Sequence, residues 1–232
     1  MDKINLYKEG IISFNTKNNY KKYNTINLSE YSQNYDYLIG VLFLVEINRY
    51  CKQNKITMHG YYISQSLINL FIKFNLEQIN TIDVINFYKN LFANINYINE
   101  RGNMPINIKN SINNNIANLM EEITQYLESF ITNKNLNDFF YIILTIAKFL
   151  GTGEISNDQN LYKLGEYYAG IFNICTTINK TNNINQIIFD EYLSFKNKLK
   201  YSISFMQINS ERIDEILAYL DSILMFRLES IQ

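Results

Sequence analysis

Few side chains in this chain are equipped for chemistry. Its one histidine, His59, sits in Thr57-Met58-His59, just ahead of Tyr61. It is the only imidazole that could serve a nucleophile or contribute to a metal site. A Ser/His/Asp or Cys/His arrangement would have to recruit distant partners, and no local pattern marks one, so His59 reads as a capping or surface residue before it reads as a ligand or base. The carboxylate pairs Glu121-Glu122 and Asp214-Glu215 are adjacent in sequence. Neighbouring helical positions diverge by about 100°, so neither pair converges on a substrate, and both read as solvated faces. Glycine-rich phosphate loops and the Gly-x-Ser-x-Gly elbow are missing from the sequence. The remaining candidate is the stretch from Lys163 to Lys180, which has Leu164-Gly165, small Ala169 and Gly170, then Phe172-Asn173-Ile174-Cys175-Thr176-Thr177. Phe172, Ile174 and Ile178 at helical spacing also suit simple core packing, and threonines can bond back to helix carbonyls.

That stretch resembles the second aspartate-rich helix of trans-isoprenyl diphosphate synthases, where Phe-Gln-x-x-Asp-Asp is usual; here Thr176 and Thr177 stand at the two aspartates. The third acidic position falls on Lys180. Lys52 to His59 overlays the family's Arg-Arg-Gly-x-Pro-Thr-x-His segment, with only Thr57 and His59 kept. Upstream, where aspartates would hold magnesium, stand Glu46, Ile47, Asn48 and Arg49. Phe139 and Phe140 occupy the place of a diphosphate-binding Lys-Thr pair. The resemblance, spread over residues 38–232, implies an isoprenoid-synthase-like bundle, a homodimer, and a degenerate pocket at His59, Phe172, Asn173, Thr176 and Thr177. Mg²⁺ needs hard anionic oxygens, which neutral hydroxyls do not replace. The chain is therefore expected to be a pseudoenzyme with no catalytic residues, no metal and no cofactor.

Composition is consistent with a helical scaffold. The chain has 232 residues, 47% hydrophobic and 19% charged, with one proline and eight glycines, so long helices meet few interruptions. Net charge is −1 and the charges are interspersed, which disfavours nucleic-acid binding. The one basic cluster, Lys17 to Lys22 with Tyr20 and Tyr23, reads as part of a solvated arm. Abundant Asn, Ile, Lys and Tyr without tryptophan looks like the codon bias of an AT-rich genome, microbial or viral. Cys51 and Cys175 lie far apart, and the polar start (Asp2, Lys3, Lys8, Glu9) lacks a signal-peptide core, so a cytoplasmic setting is expected. The apolar runs Tyr37 to Val45 and Phe139 to Ala147 fall short of the ~20 residues that cross a bilayer.

Periodicity then lays out the elements: a polar arm over 1–33 and one all-α domain of about eight helices over 34–232, around a central apolar pair. Leu38, Leu42, Val45 and Ile47 mark the first helix, and Ile63, Leu67, Leu70, Phe71 and Phe74 the second. Thr81 is the expected N-cap of a third, with Ile85, Tyr88, Leu91 and Phe92 as its buried stripe and Gly102 to Pro105 as its break. A fourth runs from Ser111 to Ile131 with Glu121, Glu122 and Glu128 outside, and a fifth, apolar nearly all round, from Asn135 to Leu150. Asn157 or Asp158 caps a helix over Leu161 to Thr177; two more cover Ile184 to Met206 and Ser210 to Ile231.

Three functions are compatible with this pattern. The first is a non-catalytic protein acting through protein contacts, as a degenerate synthase-like subunit or scaffold, with an apolar lipid chain as a further occupant. The second is an unrelated all-α structural or interaction protein. The third is an active prenyltransferase.

Overall fold

The computed structural model describes residues 39, 42–43, 46–47, 50, 57–101, 104–155, 159–181 and 186–205, with backbone alone at 57–59, 61, 175, 178–181, 186 and 203–205. The arm at 1–33, Cys51, the Asn157/Asp158 cap and the 210–231 helix lie outside the described residues. Every element among the described residues is helical: α1 (Thr57–Asn75), α2 (Thr81–Arg101), α3 (Ile106–Asn133), α4 (Leu136–Thr152), α5 (Gln159–Thr181) and α6 (Gln186–Phe205). The described residues fall into two compact units, one spanning Asp36–Leu161 and the other taken up from Tyr162 onward.

In the first unit, Ile39, Leu42, Phe43, Glu46, Ile47 and Tyr50 are helical and recur at three- and four-residue intervals; all but Tyr50 are buried. Helices α1 and α2 pack as one hairpin, α3 and α4 as another. The α2 start corrects the expected cap. Asn80 Oδ1 accepts from Asp83 N at 3.1 Å while Asp83 Oδ2 accepts from Asn80 N at 3.1 Å, so Asn80 is the cap and Thr81 the first helical residue. This reciprocal pair satisfies two amide donors at once, which a threonine one position later would not do. Lys73 from α1 closes on the same Asp83.

Helix α3 begins at Ile106, more than a turn before the expected Ser111, with Pro105 at φ −54° as its N-cap; the amide donor that proline lacks is one a helix start leaves unpaired in any case. It ends at Lys134, which takes the left-handed conformation at φ 53°. Glu77, after α1, is also left-handed at φ 55°, and the two side chains meet at 2.8 Å. Both are exposed, so the pair contributes little to stability.

Helix α4 is the centre of the unit. Asn135 caps it by accepting from Asn137 N at 3.2 Å, and Gly153 at φ 71° ends it by donating to Phe149 O at 2.8 Å. Asp138 to Ala147 and Phe149 to Gly151 are all buried, as a helix apolar nearly all round requires. Phe139 stacks among Phe71 and Phe130, with centroids at 5.2 and 4.8 Å, and Phe74 adds a fourth ring 4.0 Å from Phe130. Polar contacts set the register. Tyr88–Thr124 (2.9 Å) and Asn99–Asn113 pin α2 antiparallel to α3. Ser111 and Asn115 both donate to Gly153 O at 2.9 Å and fix the far end of the α3/α4 hairpin.

In the second unit α5 buries Leu164, Tyr168, Ala169, Ile171, Phe172 and Ile174, and α6 buries Tyr192 and Leu199. At Gly170 a Cβ would lie 2.6 Å from the Phe195 ring of α6, so any larger residue there would require that ring to shift.

Candidate functional site

The residues read from sequence as a degenerate pocket are distributed over two helices. His59 lies in the first turn of α1, and its side chain falls outside the described set. Phe172 is buried on α5 whereas Asn173 and Thr177 are exposed, so these three do not share one face. Thr176 Oγ1 donates to Asn173 O at 2.9 Å, the back-bonding open to a helical threonine. Glu46, the single carboxylate upstream, is fully buried within its helical stripe. Phe139 and Phe140 sit in the core. Among the described residues no three His, Cys, Asp or Glu side chains gather as a metal would require.

A seam of tyrosines and carboxylates between α3 and α4 escaped the sequence reading. Glu122, expected outside with Glu121 and Glu128, is half-buried, and its Oε1 accepts from Tyr141 OH at 2.6 Å. The Tyr126 ring lies 4.3 Å from that of Tyr141. One helical turn on, Ser129 Oγ donates to the buried carboxylate of Asp138 at 2.6 Å. Two signals pointed to the seam: the i, i+4 spacing of Glu122 and Tyr126, and the polar groups of Tyr141 and Thr145 within the otherwise apolar run from Phe139 to Ala147, which need partners.

Electrostatics make this seam a clamp. Burial first, then the hydrogen bond to Glu122 and its charge, push the Tyr141 phenol far above the ordinary tyrosine range, and burial raises Tyr126 as well. A phenol held protonated is a donor, not a base. Because the folded-state value exceeds the unfolded one, the stabilisation is complete below about pH 10 and is lost as pH rises above it. The urea midpoint should therefore fall above about pH 10. Tyr141→Phe should lower the neutral-pH stability by about 1–2 kcal/mol and flatten that alkaline decline; an equal decline in both proteins would contradict the assignment.

The chain matches no family model, and no curated protein or solved structure matches it.

The clearest surface departs from expectation. Ile85 and Phe92 were to be part of the buried stripe of α2, yet that stripe is Phe87, Leu91, Ile95 and Ile98, with Asn99. Ile85 is 45% and Phe92 47% exposed, alongside Ile82 at 68% and Tyr97 at 41%. Helix α2 carries more apolar side chains than one face can hold. Leu91 lies at the middle of the inward face, and residues about half a turn away from it are directed outward. Among the described residues no helix is long and apolar enough to cross a membrane.

Proposed function

We propose that this chain is a non-catalytic helical protein that acts through protein–protein contacts, as a subunit or scaffold of isoprenoid-synthase-like architecture with about eight helices. The observation that carries the reading is the outward apolar face of α2: Ile82, Ile85, Phe92 and Tyr97. Aromatic and aliphatic side chains on one helix face, spaced by polar ones, suit the burial of a docking surface. The synthase kinship rests on the sequence resemblance alone. The placement of Phe172 and Thr176 is compatible with either a degenerate pocket or plain packing.

Two experiments test the reading. p-Benzoylphenylalanine introduced in place of Phe92 in the full chain and irradiated in cells should yield a covalent adduct with a protein. No adduct at α2 would overturn the docking role. Incubation of the purified chain with magnesium, isopentenyl diphosphate and an allylic diphosphate should give no prenyl product; product formation would overturn the non-catalytic assignment.

A further inference from the structure

We draw no further inference here: the strongest candidate, the outward apolar face of α2 at Ile82, Ile85, Phe92 and Tyr97, belongs to the protein-contact reading already given, and nothing in the structure shows what covers it.

Discussion

Phe139→Ala should destabilise the chain by about 3–5 kcal/mol, a large share of the stability of an ordinary domain. Phe139 is fully buried on α4, and its ring lies 5.2 Å from Phe71 and 4.8 Å from Phe130. Removal takes away the transfer free energy of a whole ring. It also leaves a cavity that Phe71 and Phe130, fixed to α1 and α3, cannot collapse into. Phe139→Leu, which keeps most of the volume, should cost far less, about 1–1.5 kcal/mol. Urea unfolding followed by circular dichroism measures both. Equal losses for Ala and Leu would mean that stacking geometry, and not filled volume, sets the energy at this site.

The second large effect is expected at Gly151. A Cβ there would fall 2.8 Å from the Tyr50 carbonyl carbon and 2.9 Å from its oxygen. Backbone cannot rotate away as a side chain would, so Gly151→Val should cost about 3 kcal/mol and Gly151→Ala somewhat less. The loss has a location as well as a size. Tyr50 must lift from the C-terminal end of α4, so hydrogen exchange should speed up at residues 39, 42–43, 46–47 and 50 before it does in α3 or α4. Uniform acceleration across the unit would contradict this account.

Helical class, order and most spans were legible because apolar residues recur at the 3.6-residue period with so few prolines to interrupt them. Gly153 and Asn135 carried recognisable end signals, and α4 was read as central from its composition alone. What stayed hidden depends on competition between sites. Asn80 and Thr81 are both acceptable caps, and only the reciprocal bonds with Asp83 decide between them. Ile85 and Phe92 look like core residues until Phe87, Leu91, Ile95 and Ile98 claim the inward face. Glu122 looks solvated until Tyr141, nineteen positions later, supplies its partner. Of the pocket that the resemblance implies, the threonines at 176 and 177 could be read from the sequence residue by residue. The α2 surface could not, because periodicity names two stripes without saying which one faces inward.

The burial of α4 bears on how the chain emerges from the ribosome. Tyr50, α1 and α3, which pack against it, all precede it in the sequence. By the time Phe139 to Leu150 leaves the exit tunnel, a cradle for it can already be waiting outside. The stickiest segment of the polypeptide is thereby sheltered within seconds of translation, and the interval in which it could be seized by another nascent chain is short.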